Sequence, residues 1–204
     1  MKFELNEAIA ILRQTPYSLS RMLGDLSPRW TRSTADQENW GVYDVIGHLI
    51  QGEETDWIPR AEIILTQGKD KPFMPFDRLA QFHKSGGRSL EDLLTEFAHL
   101  RNANIEKLIR WQLTADQLQL RGMHPELGEV TLEQLLATWV VHDLNHVKQI
   151  VGCLAVRYAD NVGPWKAYLS ILSEKENASS GKPNEAKSTI PIRSLVEGDV
   201  EDRP

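Results

Sequence analysis

Two histidines lie four residues apart in the segment TWVVHDLNHVKQIVG, which covers residues 138–152. Apolar residues recur through it at three- and four-residue steps, a spacing that predicts a helix with one buried face. His142 and His146 both fall on one flank of that face. Because side chains at positions i and i+4 lie one turn apart on a helix, both rings can approach a single point beside it. This geometry fits a metal ion, but it also fits two buried histidines that hydrogen-bond to neighbouring groups.

A third histidine is the natural partner of this pair if a metal is bound. A zinc-type site needs further ligands, and His48 lies in the first turns of a second predicted helix, at the border of its apolar face. In helical bundles, ligand sites form from inward side chains on facing helices. One histidine from one helix and two from another is therefore an easy arrangement. His83 and His124, in predicted loops, and His99, among charged residues, are expected to face solvent or to stabilise turns.

Three further polar residues lie close to these histidines in the sequence. Asp143 projects near the centre of the apolar stripe, where a buried carboxylate needs a partner. That partner is either the N–H of a ligand histidine, which the carboxylate would orient, or a structural donor such as a tryptophan N–H or a first-helix side chain. Gln149 lies one turn beyond His146 and either orients it or marks a polar boundary. Glu53 projects into the apolar face of the second helix and either acts as a base, forms a salt bridge or faces the surface.

The composition disfavours several classes of protein. The 204 residues fit one ordinary domain, and a formal charge of −6 without a dense Lys/Arg run disfavours nucleic-acid binding. The sequence contains no run of about 18 apolar residues, so it predicts no membrane-spanning helix. The first residues lack the charged, then apolar, then small-residue order of a signal peptide. The single cysteine, Cys153, fits a reducing compartment. We therefore expect a cytoplasmic, soluble, single-domain protein.

Helices must position the histidines, because the sequence contains four long segments with helical apolar spacing and no convincing strand. Pro16 lies inside the first segment and either kinks it or begins a second piece, whereas Pro59 is expected to kink the second segment. Capping boxes that begin at Ser89 and Thr131 mark the starts of the third and fourth. The predicted helices span residues 3–26, 42–67, 89–111 and 131–154, and a short fifth helix spans 164–172.

These elements predict an all-α protein in which residues 1–172 form an antiparallel four-helix bundle with a short extra C-terminal helix. Residues 173–204 are polar, and we expect them to form a flexible C-terminal tail. The connections 68–88 and 112–130 are long for a bundle, and such loops often cover a functional site. The segment from Phe73 to Arg78 is a candidate cap over the metal pocket, although it also fits a packed surface loop.

Two blocks of the sequence, NWGVYDVIGHLIQGEETDW and HPELGEVTLEQLLATWVVHDLNHVKQIVG, resemble the DinB-like superfamily of damage-inducible four-helix-bundle proteins. The resemblance covers roughly residues 1–172. Its most specific elements are Trp40, His48 and the run H-D-x-x-H-x-x-Q that begins at His142. In that family the three matching histidines bind a divalent metal, commonly zinc or nickel. The resemblance therefore implies that His48, His142 and His146 are metal ligands.

The same resemblance implies a range of activities. Three imidazoles leave at least one coordination position open, which is the pattern of a catalytic zinc site, and an open site can activate a bound water or hold a thiolate. Some members of the superfamily are transferases or isomerases that use bacillithiol or mycothiol, and others are described as hydrolases. We expect a metal-dependent enzyme of the thiol-dependent S-transferase type, acting on a small molecule with a low-molecular-weight thiol. The alternatives are a metal-dependent hydrolase and a non-catalytic, stress-related metal-binding protein; homodimers are common in the group.

Overall fold

The computed structural model describes residues 1–31, 40–77 and 79–173 of the chain. Four long helical segments dominate it, and a small antiparallel hairpin and several short helical turns connect them. In chain order the elements are α1 (Leu5–Leu23), α2 (Pro28–Thr31), α3 (Val42–Thr55), α4 (Trp57–Thr66), α5 (Ala80–Ser85), α6 (Leu90–Arg110), α7 (Ala115–Leu118), β1 (Arg121–His124), β2 (Gly128–Thr131), α8 (Leu132–Ala155) and α9 (Ser170–Ser173). Turns of 3₁₀ helix cover Gly68–Asp70, Val156–Tyr158 and Gly163–Tyr168.

The long helices begin where the sequence predicted them. The Ser89 hydroxyl accepts a hydrogen bond from the backbone N–H of Asp92 at 3.0 Å and caps α6. The Thr131 hydroxyl accepts from the N–H of Gln134 at 3.1 Å and caps α8 in the same way. Each cap satisfies one of the N–H groups that the first turn of a helix leaves without a partner. The start of each of these two helices is therefore fixed locally.

The two prolines act differently on their helices. Helix α1 continues through Pro16 without a break. The second predicted helix is divided, since α3 ends at Thr55 and α4 begins at Trp57. In one unbroken helix, the ring of Pro59 would clash with the carbonyl of Thr55 four residues earlier. The division therefore lies one turn before the proline, and Pro59 occupies the first turn of α4, where it is tolerated.

The predicted four-helix bundle is confirmed. Helix α1 packs against α6 and α8, and α3 packs against the same two helices. Glu53, near the end of α3, contacts Arg101 and Trp139, while His48, one turn and a half earlier, contacts His142. Helices α3 and α8 are therefore antiparallel, and the long connection between α4 and α6 lets the chain return before α6 begins.

Two apolar clusters fill the bundle, one toward each end. The first includes Leu12, Leu108 and Trp139, and the second includes Leu23 and Phe97. Three buried polar residues lie between the clusters: Glu53 near the end of α3, Arg101 at the middle of α6 and Asp143 at the middle of α8. Since α3 and α8 also carry the three histidines in this middle part, the polar layer and the histidines lie at a similar height in the bundle.

The connection between α4 and α6 is fastened to the bundle at its middle. Phe73 is buried, and its backbone N–H donates to the carbonyl of Met123 at 2.9 Å. Gly122, on β1, allows this contact because a Cβ at that position would lie 2.7 Å from both Phe73 and Ile64. The Arg60 guanidinium donates to the carbonyl of Met74 at 3.3 Å. The loop is thus anchored to both α4 and the hairpin.

Two expectations from the sequence need correction or fall outside the described residues. The hairpin of β1 and β2 contradicts the expectation that no strand is present. Its strands are only four residues long, and Gly128, where the turn ends and β2 begins, has a positive φ of +75°. The short C-terminal helix is confirmed as a 3₁₀ turn followed by α9. The predicted tail lies, from residue 174 onward, outside the described residues.

Within the described ranges, no helix combines the length and hydropathy needed to cross a bilayer.

Candidate metal centre

Three histidine rings meet between α3 and α8. The Nε2 atom of His142 lies 3.1 Å from the Nε2 of His48 and 3.1 Å from the Nε2 of His146. One nitrogen of each ring lies within 4.8 Å of the nitrogens of the other two. Two imidazole nitrogens bound to the same zinc, each about 2.0–2.1 Å from it, lie about 3 Å apart. The spacing of these three nitrogens therefore fits one shared cation.

Glutamine side chains hold two of the rings from their outer side. The Nδ1–H of His48 donates to the Gln81 amide oxygen at 3.2 Å, and the Nδ1–H of His146 donates to the Gln149 amide oxygen at 2.8 Å. An amide oxygen only accepts hydrogen bonds, so each Nδ1 carries the proton and each Nε2 presents a lone pair. Ligand histidines in metal sites are commonly oriented in this way.

Burial keeps these rings in the form that binds metals. Burial lowers the pKa of His142 to about 2, and the nearby His146, His48 and Arg101 add to the effect in that order. Burial also lowers the pKa of His146, although its hydrogen bond with Gln149 opposes the shift. A histidine must be neutral to bind a metal. At neutral pH, His142 and His146 are therefore neutral imidazoles, each with one unprotonated ring nitrogen.

Aromatic side chains surround the cluster. The ring of Trp40 lies 4.9 Å and that of Phe76 lies 5.2 Å from the ring of His48, between centroids. Trp57 contacts His142 edge-on at 5.0 Å. The segment 73–78 was a candidate cap, and Phe76 brings it against a cluster histidine; residue 78 lies outside the described residues. These rings create an apolar wall, in which a charge on a bound group is less screened than in water.

Next to the histidines lies a buried ionic network centred on Arg101 of α6. Its guanidinium donates to the Glu53 carboxylate at 3.0 and 2.8 Å and to the Asp143 carboxylate at 2.5 and 2.9 Å. It also donates to the backbone carbonyl of Leu12 in α1 at 2.8 Å. Trp139 and Asn104 donate to the same glutamate at 3.1 and 3.0 Å. One arginine thus connects all four long helices.

This network assigns a structural position to two of the predicted polar residues. Asp143 had been expected to orient a ligand histidine or to bond a tryptophan or first-helix donor, and both its oxygens instead accept from Arg101. For Glu53 the alternatives were a base, a salt bridge and a surface position, and the residue forms a buried salt bridge with Arg101. Gln149 is placed where it orients His146. The pKa of Glu53 is raised by burial and lowered in part by Arg101.

Sequence reasoning missed Arg101 and Gln81. Arg101 lies two residues after His99 and directly before Asn102, so these polar neighbours suggest a solvated face, and only its spacing of four residues from the core residue Phe97 could have indicated burial. Gln81 lies in a segment predicted to be a loop. The remaining histidines lie away from the cluster: His83 and His99 are exposed, and the Nδ1 of His124 accepts hydrogen bonds from the turn between the strands.

A four-helix bundle with an inward-facing histidine triad defines a class of protein, and comparison with known proteins places the chain in one family. The sequence matches the DinB superfamily over residues 11–150, more than half of its length. The chain therefore belongs to the DinB superfamily.

A solved structure with a similar fold is YfiT from Bacillus subtilis, described as a probable metal-dependent hydrolase with an unusual four-helix bundle topology. It is 22% identical to this chain, with a TM-score of 0.64 over 80% of this chain and 90% of YfiT. This likeness concerns the fold. Among curated proteins, none matches the sequence at a significant level.

Proposed function

We propose that this chain is a metal-dependent enzyme in which His48, His142 and His146 hold one divalent cation. The observation that carries the proposal is the approach of three Nε2 atoms, two of them at 3.1 Å from the third. Two of these nitrogens are lone-pair acceptors by the hydrogen bonds on their other side. A cation between the rings would satisfy all three lone pairs at once. Zinc and nickel are the preferred ions, although ligation by nitrogen alone also suits copper and iron.

The type of reaction follows from the coordination position that three protein ligands leave open on the metal. When bound, such a cation supplies Lewis acidity and lowers the pKa of a water or thiol in its open position. The chain's own residues orient the ligand rings and surround them with apolar side chains, of which Trp40, Trp57 and Phe76 are nearest. Glu53 and Asp143 are held by Arg101 and are not free to accept a proton from a substrate. Proton transfer therefore has to involve another group, such as solvent or the substrate itself.

A purely structural role for the metal is disfavoured by the ionic network. Arg101 already joins the helices that carry the histidines, because it binds Glu53 of α3 and Asp143 of α8. Two apolar clusters, one toward each end of the bundle, also hold the long helices together. A cation is therefore not needed to bring α3 and α8 together, and a catalytic role for the metal is favoured over a role in folding.

Two reaction types are proposed in order. Thiol-dependent S-transfer to a small electrophile comes first, because the H-D-x-x-H-x-x-Q run resembles the DinB-like superfamily, some of whose members use a low-molecular-weight thiol. Hydrolysis comes second, because the similar structure YfiT is described as a probable metal-dependent hydrolase. The low-molecular-weight thiol, the small-molecule substrate, a homodimer and a cytoplasmic location are predictions from the sequence.

The test begins with metal content. Protein purified without a metal-affinity column should contain close to one equivalent of a divalent ion by elemental analysis, and His142→Ala should lose most of it. Metal-loaded protein is then incubated with small electrophiles in the presence and absence of low-molecular-weight thiols, and separately with esters and amides. We expect turnover that chelation abolishes while the melting temperature falls only modestly. A complete loss of folding on chelation, or no turnover in either panel, would contradict the catalytic proposal.

A further inference from the structure

We propose that Gln81 and Gln149 are positioning residues that set the tautomers of His48 and His146, and that His142 has no such partner among the described residues. The proposal rests on the metal centre proposed above and adds the residues that prepare it. It assigns a role to α5, a short helix in the connection between α4 and α6. The glutamines do not touch the metal themselves; they act through the rings that do.

Gln81 reaches His48 because α5 packs closely against α3. The Gln81 side chain is 1% exposed, and its amide oxygen accepts from the Nδ1–H of His48 at 3.2 Å. The residue before this histidine is Gly47, where a Cβ would lie 2.5 Å from the hydroxyl oxygen of Ser85 and 3.5 Å from the Cβ of Gln81. A Cβ at this position would displace the Ser85 hydroxyl, and a longer side chain would also meet the Cβ atoms of Gln81 and Ser85. The glycine therefore permits the close approach that the hydrogen bond requires.

Gln149 reaches His146 within a single helix. The two residues are three positions apart on α8, so their side chains lie on the same face. The amide oxygen accepts from Nδ1–H at 2.8 Å. The outer nitrogens of His48 and His146 are thus held by neutral amides rather than by carboxylates. Three neutral imidazoles and two neutral amides would not themselves cancel the charge of a divalent cation, which would favour an anionic ligand such as a thiolate or hydroxide.

The tautomers of the metal-free protein follow from these bonds. His48 and His146 carry their protons on Nδ1, so each presents an Nε2 lone pair to His142. An Nε2–H on His142 can then be shared between two acceptors that are each 3.1 Å away. Its own Nδ1 is buried and, within the described part of the chain, has no hydrogen-bond partner. A nitrogen without a proton tolerates this better than an N–H would, because an unpaired acceptor has no donor proton to satisfy.

Metal binding therefore changes His142 most. To use Nε2 as a ligand, this ring must change tautomer, with its proton on Nδ1 instead of Nε2, whereas the other two rings are already in the ligating form. The two glutamines thus prepare two of three ligands in advance. Removing either glutamine should weaken metal binding by about tenfold to a hundredfold, the usual range for residues that orient metal ligands.

The affinity test compares Gln81→Leu and Gln149→Leu with Gln81→Glu and Gln149→Glu in the full chain. Zn²⁺ affinity is measured by competition with a coloured chelator, and Co²⁺ spectra report the ligand geometry. The leucine variants should bind about tenfold to a hundredfold more weakly, while the glutamate variants, which keep an acceptor oxygen, should bind as tightly as the wild type. The control is Gln51→Leu, a buried glutamine of α3 that bonds Thr55 and Lys84 rather than a cluster histidine. Equal losses in the leucine and glutamate variants would overturn the proposal.

A second measurement separates this proposal from the metal centre itself. Long-range ¹⁵N–¹H spectra of protein stripped of metal by a chelator should show Nδ1–H tautomers for His48 and His146 and an Nε2–H tautomer for His142. In Gln149→Leu, His146 should no longer favour the Nδ1–H tautomer. If these tautomers are found but no metal binds, the proposed function fails and the positioning role holds. If metal binds equally well in the leucine variants, only the positioning role fails. An Nε2–H tautomer at His48 or His146 would also overturn it, and circular dichroism shows whether each variant is folded.

Discussion

Substituting Arg101 with methionine tests the buried ionic network directly. Methionine keeps much of the side-chain volume but removes the guanidinium that binds Glu53, Asp143 and the carbonyl of Leu12. The arginine, glutamate and aspartate side chains are all fully buried. Two carboxylates would lose their cation, and breaking a buried ion pair by removing one partner costs about 3–5 kcal/mol. Since small domains have a total stability of about 5–15 kcal/mol, the loss would be a large fraction of it.

The pH dependence of this loss has a defined sign. Burial raises the pKa of Glu53 and the arginine opposes the rise, so without Arg101 the folded pKa moves further above the unfolded value of about 4.3. A carboxyl with a raised folded pKa stabilises the fold while it is protonated, and this contribution is lost as pH rises through the folded pKa. The difference between variant and wild type should therefore shrink when pH falls from 7.5 to 5.0.

Urea unfolding followed by far-UV circular dichroism measures both effects. The control is Arg110→Met on the same helix, because Arg110 is 67% exposed and lies 3.9 Å from Glu106; a surface change of this kind alters stability by about 0.5 kcal/mol at most. A loss below about 1 kcal/mol for Arg101→Met at pH 7.5, in view of the expected 3–5 kcal/mol, would refute the reasoning. A deficit that does not change with pH would refute the assignment of the charges.

Two further predictions concern the histidines and the hairpin. In protein stripped of metal by a chelator, burial lowers the pKa of His142 to about 2 in the folded state, whereas the unfolded value is about 6.5. The free energy of unfolding is therefore retained above pH 6.5 and decreases as pH falls, by about 2 kcal/mol at pH 5.0 for this ring alone. Urea unfolding of His142→Asn should show a pH dependence that is smaller by that amount. Gly122→Ala would place a Cβ 2.7 Å from Phe73 and Ile64 and should destabilise the protein by about 1–3 kcal/mol in thermal unfolding. Gly152→Ala, in open space on α8, should instead stabilise it by about 0.5–1 kcal/mol; equal effects of the two substitutions would contradict the packing argument.

Local signals account for the parts of the fold that the sequence predicted. The capping boxes at Ser89 and Thr131 and the periodic apolar residues located α6 and α8 to within a residue or two of each end. The hairpin was missed because its strands are too short to show an alternating pattern. Helix α5 was missed because six residues followed by Gly86 and Gly87 resemble a loop.

The sequence predicted those residues of the candidate site whose position on their own helix could be read from the local pattern. The pair His142 and His146 is visible as a helical i, i+4 pattern, and the border position of His48 suggested the third ring. Arg101 and Gln81 depend on contacts between segments more than thirty residues apart, 48 for Arg101 with Glu53 and 33 for Gln81 with His48. Hydrophobic periodicity describes one helix at a time, so it contains no information on which polar residue of a neighbouring element will fill a gap.

The position of Arg101 also bears on how this scaffold can change by mutation. A helix that slipped by one turn would move about 5.4 Å and would break the hydrogen bonds to Glu53 or Asp143, so the alignment of α3 with α8 is set by a group that is not a candidate ligand. Replacing a histidine of the triad would leave that alignment intact. Substitutions of the ligand residues can therefore change the metal or the reaction while the packing of the bundle is retained.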